Sequence, residues 1–274
     1  MFDILAHASN YATPTRSMHY AADVANLFGA TLTGIFVAEP MVPVAPVGIT
    51  LVIPEIYAAA AEVVDAALEA APKFHEWART KGLTKHRWQV ANGFFPGALA
   101  AAANWNDAVV LESGNSTPWG SVGTLGQAVV SSGIPCFIVP ETHDKPASFD
   151  SIVIASHGSP ESIRAVHASL PLLKRARRIV LLKGRPPESF SALDFRPPFT
   201  IEDHLARHRL QFATRVLEAA DDAIGTEILS AAMEANADLL VMGAYGRARF
   251  SEWILGGATR QVLQHARIPL FMRH

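Results

Sequence analysis

The sequence predicts an α/β protein of two tandem doubly wound domains, each a mostly parallel five-stranded sheet flanked by helices. Three observations lead there. The chain has 274 residues, more than one domain usually holds, so two units of about 130–150 residues are expected. The chain also reads twice. "FDILAHASNYATPTRSMHYA" from Phe2 matches "SIVIASHGSPESIRAVHASL" from Ser151, and "NDAVVLES" (106–113) matches "ADLLVMGA" (237–244). "VGTLGQAVVSSGIPCFIVP" (122–140) matches "GGATRQVLQHARIPLFMRH" (256–274), in the same order. Lastly, short and almost wholly apolar runs alternate with helical patterns, as parallel strands covered on both faces require.

In the first unit, 1–140, strands are expected at 2–7, 31–36, 85–90, 107–111 and 135–139. Helices are expected at 14–28, 55–80, 95–104 and 122–132. The long one carries Glu62, Asp65, Glu69, Lys73 and Glu76 at three- and four-residue steps, a polar stripe opposite an alanine-rich face. Pro72 should kink it. "GFFPGA" (93–98) is a turn that opens the next helix. The polar stretch "ETHDKPASF" (141–149) reads as a linker. In the second unit, 150–274, strands are expected at 151–156, 178–182, 211–216, 238–242 and 269–272. Helices are expected at 160–174, 201–208, 226–235 and 256–266. His204 and His208, one turn apart with Asp203 beside them, are expected on a solvated face.

A net charge of −2 gives no reason to expect nucleic acid or a membrane surface as partner. The single cysteine, Cys136, has no mate for an internal disulfide and suits a reducing compartment. The apolar stretch at 41–53 is interrupted by prolines and too short to span a bilayer. These features lead to the expectation of a cytoplasmic protein. No Walker loop, Rossmann fingerprint, nucleophile elbow or zinc motif is present.

Open α/β sheets gather ligands at the carboxyl ends of their strands. Gly243 follows the strand "DLLVM" directly, Gly246 comes three residues on, and Gly256 and Gly257 open the last helix. Glycine lets a ligand approach the main chain closely. A helix N-terminus beside it offers free N–H groups to an anion, best a phosphate.

The run "GAYGRARFSEWILGG" (243–257) resembles the universal stress protein signature: Gly, two residues, Gly, nine residues, Gly, then Ser or Thr. The likeness continues through "ADLLVMG" before it and "ATRQVLQHARIPLFM" after it, and the doubled unit resembles a tandem member of that family. The resemblance implies a fold of the adenine-nucleotide α-hydrolase type and one bound ATP, or ADP or AMP, in the second domain. It implies that Gly243, Gly246, Gly256 and Gly257 wrap phosphates and ribose, and that the main chain at Lys183 and Gly184 meets the adenine. Arg247 and Arg249 would lie within reach of a terminal phosphate. The sequence departs from the pattern twice. Gly257 stands where the family has Ser or Thr, with Thr259 as a substitute hydroxyl. His157 stands where the family ends the first strand with Asp, and His7 holds the same place in the first half.

In the first half, Glu112 replaces the first glycine, Asn115 the second, and Gly123 falls in the Gly257 place. A carboxylate there would repel a phosphate and compete for its N–H donors, so the first domain is not expected to bind ATP in this way. The insertion at 37–57 could cover the pocket or a dimer contact.

The leading functional reading is a nucleotide-binding stress-response module with an unidentified protein partner. Hydrolysis is expected to be slow or absent, because no water-activating carboxylate accompanies the cradle. The alternative is a nucleotide-free interaction protein. An enzyme with His157 as general base is the third reading. By resemblance, the two halves would pair through their last strands as an internal pseudo-dimer, with homodimerisation as a further option.

Overall fold

The computed structural model describes residues 1–39, 54–185, 200–220, 222–244 and 257–274, with 54–57 as main chain only. The apolar runs become strands wherever they were expected. The first half runs β1 (Asp3–His7), α1 (Arg16–Phe28), β2 (Thr31–Ala38), α2 (Pro54–Glu69), α3 (Ala71–Thr80), β3 (His86–Asn92), α4 (Phe95–Ala103), β4 (Ala108–Ser113), α5 (Val122–Ser132) and β5 (Cys136–Pro140). The second half runs β6 (Ser151–Ser156), α6 (Pro160–Leu173), β7 (Arg178–Lys183), α7 (Ile201–Arg207), β8 (Ala213–Val216), α8 (Ile224–Glu234), β9 (Leu239–Gly243), α9 (Gly257–His265) and β10 (Leu270–Arg273).

Local chemistry sets the ends of these elements. Gly29 adopts a left-handed conformation, φ 61°, and closes α1. Ser159 caps α6 by accepting from the Ser162 N–H, with Pro160 in the first turn where its missing N–H costs nothing. The expected single kinked helix over 55–80 is instead two helices that meet at Ala70. Proline clashes with the carbonyl four residues back, so Pro72 starts a new helix in its first turn rather than bending an old one.

All ten strands join one sheet in the order β3-β2-β1-β4-β5-β10-β9-β6-β7-β8. Each half is parallel throughout, and the halves meet where β5 and β10 pair antiparallel, with Phe271 opposite Phe137. The internal pairing through the last strands is therefore present. Both phenylalanines are fully buried, their ring centroids 4.9 Å apart. One face of the sheet packs against α1, α3, α6 and α7, the other against α4, α5, α8 and α9. The strand order reverses direction between β1 and β4 and again between β6 and β9, which places one crevice at the carboxyl ends of each half. No described helix is long and apolar enough to cross a membrane.

Candidate functional site

In the second half, β6 ends in a small hydroxyl network. Ser156 Oγ donates to Ser162 Oγ at 3.0 Å and accepts from the Gly158 N–H at 3.2 Å, while Ser162 Oγ donates to the Ser159 carbonyl at 2.8 Å. Gly158 takes φ 83°, which turns the chain into α6. His157 sits on this turn and is exposed. Burial among neighbouring protein atoms still lowers its pKa, with Glu161 acting the other way. The imidazole is therefore neutral near pH 7, able to donate or accept a hydrogen bond.

Gly184 donates to the Ser156 carbonyl at 2.9 Å, and a Cβ on it would lie 3.2 Å from His157 Cβ. The ends of β6 and β7 thus bring His157 and Gly184 into contact. Gly243 closes the group from β9. A Cβ there would lie 2.5 Å from the Ser162 nitrogen and 2.8 Å from the Glu161 carbonyl carbon. The glycine thus lets the first turn of α6 rest directly on the end of β9, and the helix backbone fills its side-chain space.

No water-activating carboxylate was expected with the glycines, and Glu161, in the first turn of α6, acts electrostatically on His157. Glu161 is 2% exposed, and its Oε1 has no hydrogen-bond partner. An unmet buried acceptor is costly and rare in folded proteins, which marks the spot as chemically unusual. The signal was in the sequence: an acidic residue in the first turn after a Ser-Pro start.

The other expected residues are placed as follows. The Lys183 ammonium is bound by the Glu202 carboxylate of α7. Gly257 opens α9 and is exposed, while Thr259 is buried in that helix's first turn. The placement of α9 is fixed by Gln261, whose Oε1 accepts from the Gly225 N–H at 3.1 Å and whose amide donates to the Asp222 carbonyl. Gly246, Arg247, Arg249 and Gly256 lie outside the described residues, as does most of the 37–57 insertion. His204 and His208 are not on a fully solvated face: both are half-buried, and His204 stacks on His167 of α6. Packing of α7 onto α6, which periodicity within one helix cannot report, makes the difference. No group of three or more metal-ligating side chains is found among the described residues.

The first half has the same turn with its donors already engaged. Glu112 Oε2 accepts from the Ser17 N–H in the first turn of α1 at 3.0 Å. Glu141 accepts from the Asn115 N–H at 3.4 Å and the Ser116 N–H at 3.2 Å. The hydrogen bond from the Ser116 side chain leads the effects that lower its pKa. Ser121 caps α5 by accepting from Thr124. In this half the loop amides of Asn115 and Ser116 are bound by Glu141, and Glu112 binds an amide of α1. Glu112→Ala leaves the Ser17 N–H without its partner and should cost about 1–3 kcal/mol, read as a lower denaturation midpoint.

His7, the counterpart of His157, is a core ring. It is 3% exposed and packs edge-on against Phe95 and Trp119 at centroid distances of 4.5 and 5.9 Å. Burial lowers its pKa to about 3. A group depressed in the folded state stabilises above its unfolded pKa and loses that contribution as protons are added. The wild type should therefore lose stability between pH 6.5 and 3. His7→Leu should reduce that loss, as seen by comparing urea midpoints of the two proteins across this range.

The doubled sheet, with a crevice at each reversal of strand order, defines a tandem doubly wound α/β protein. Residues 148–273 match the model of the universal stress protein family. The second half of the chain therefore belongs to that family, and the whole chain has its fold in tandem. A universal stress protein from Archaeoglobus fulgidus DSM 4304 is similar over 99% of this chain and 97% of its own, at 15% identity and a TM-score of 0.70. A functionally unknown protein from Pseudomonas aeruginosa PAO1 is similar over 99% of this chain and 92% of its own, at 13% identity and a TM-score of 0.60. At such identities the likeness speaks for the fold. A search of curated proteins finds no match.

Proposed function

We propose that the second half binds one adenine nucleotide, ATP or its ADP or AMP forms, as a stress-response module. One observation carries this reading: His157 and Gly184 meet at the carboxyl ends of β6 and β7, and Gly243, at the end of the adjacent strand β9, lies against the first turn of α6. Neutral His157 suits a ribose hydroxyl or the edge of a base better than a phosphate. The main chain at Gly184 is free of a side chain and lies against His157, as a flat adenine would need. Gly257 at the mouth of α9 would offer its N–H and the positive end of the helix to phosphate oxygens. The first half would take no nucleotide by this mode, because Glu141 holds its loop amides and Glu112 holds an amide at the start of α1.

The departures from the family pattern predict modest affinity. Gly257→Ser restores one hydroxyl donor, worth about 0.5–1.5 kcal/mol, and should tighten ATP binding roughly two- to tenfold. Fluorescence competition with a labelled nucleotide measures that ratio. Native mass spectrometry of freshly purified protein tests the reading itself. A retained nucleotide mass supports it. A clean apo mass that persists after incubation with millimolar ATP favours the nucleotide-free interaction protein.

A further inference from the structure

The histidines of α7 take no part in the proposed site, yet they are arranged in a specific way. His204 stacks on His167 of α6, with ring centroids 4.1 Å apart and planes 18° from parallel. His208, one turn further along α7, meets His204 edge-on at 4.8 Å. His204 Nε2 is buried and has no hydrogen-bond partner. Three imidazoles thus form one contiguous patch between two helices.

The surroundings of the patch are basic. The charged groups that act on His204 are His167 from α6, and His208 and Arg207 from α7. The two acids of α7 are engaged elsewhere. Glu202 binds the Lys183 ammonium at the end of β7. Asp203 Oδ2 accepts from the Thr200 N–H at 2.7 Å and its hydroxyl at 3.0 Å, forming a capping box. Among the described residues, the charged groups that a proton on His204 would meet are all basic. The helix itself is weak, with 7 residues and one fully buried side chain, Leu205. Helices this short depend on packing for their stability.

We propose that His204, stacked on His167 of α6 and edge-on to His208, is an acid-released clasp, which holds α7 against α6 while its ring is neutral and lets it go when it is protonated. The direction of the effect follows from linkage. Burial first, then the neighbouring basic groups, lower the His204 pKa when α7 is docked. The docked form therefore binds fewer protons than the released form, and docking weakens as pH falls below the ordinary histidine value of about 6.5. The same event would loosen Glu202 from Lys183, freeing an ammonium at the end of β7.

Hydrogen exchange of the full-length, nucleotide-free protein tests the clasp. Exchange of residues 200–210 is compared at pH 7.5 and 5.5, corrected for the intrinsic effect of pH. The clasp predicts a several-fold loss of protection at the lower pH, confined to that segment. His204→Phe keeps a ring but cannot charge, so its protection should be the same at both pH values. Where circular dichroism shows that this variant does not fold, His204→Gln, which is polar but cannot charge, makes the same comparison. Equal protection of the wild type at both pH values overturns the proposal. So does an undiminished acid response in a folded variant that lacks His204. Because no nucleotide is present, failure of nucleotide binding leaves this test unaffected.

Discussion

Gly243→Ala should destabilise the protein by about 1–3 kcal/mol or more, the usual penalty for forcing a methyl into a packed interior. The atoms it meets explain why relief is difficult. The added carbon lies 2.5 Å from the Ser162 nitrogen and 2.8 Å from the Glu161 carbonyl carbon and Ser162 Cα. All three are main-chain atoms of the first turn of α6, so no rotamer change clears the way. The helix must lift from β9, which disturbs the Ser156–Ser162 hydroxyl pair and moves His157 with its turn. The expected result is a lower denaturation midpoint together with lost nucleotide affinity. Gly123 is the control: a Cβ there meets nothing within 4 Å, so Gly123→Ala should leave stability unchanged or slightly raised.

Phe271→Ala should be the costliest core truncation, about 3–5 kcal/mol. Phe271 is fully buried, lies opposite Phe137 across the antiparallel seam, and packs edge-on against its ring at a 4.9 Å centroid distance. The aromatic contact adds about 0.5–1.5 kcal/mol beyond the buried area, which a double-mutant cycle with Phe137→Ala would isolate. The seam joins the two halves through strand pairing and through a core continuous on both faces. The wild type should therefore unfold in one transition. Phe271→Ala should broaden the transition or split it in two as the halves uncouple, a change visible by calorimetry.

The sequence reading captured most of this architecture because strands and helices leave periodic traces. "AVVL" (108–111) and "LLVM" (239–242) are apolar throughout, as a parallel strand covered on both faces requires. The duplication then made each half a check on the other. The break at Ala70 was half legible: Pro72 marked the place, but whether a helix bends or restarts depends on its packing against β3 and the sheet.

The site was less legible, because its chemistry comes from contacts distant in sequence. The Glu112 carboxylate reaches the amide of Ser17, 95 positions away. Glu112 was recognised as foreign to a phosphate cradle by its charge alone, but the donor it binds could not be named. Glu161 was passed over because an acid early in a helix usually faces water and favours the dipole. Its burial comes with the close seating of the first turn of α6 on the end of β9, a contact between two elements. His7 and His157 look alike in the repeats, yet one is a core ring and the other exposed. Phe95 and Trp119 make that difference, and no spacing rule brings them to His7.

On the proposed reading, one half of this tandem protein is an open adenine-nucleotide site, while the other is closed by its own carboxylates. Isothermal titration calorimetry of the intact chain with ATP, ADP and AMP tests it most directly. The account predicts saturable heat at a stoichiometry of one nucleotide per chain, abolished by Gly243→Ala and unchanged by Glu112→Gln. Silence from both the wild type and Gly257→Ser would contradict it, and so would two equivalent sites per chain.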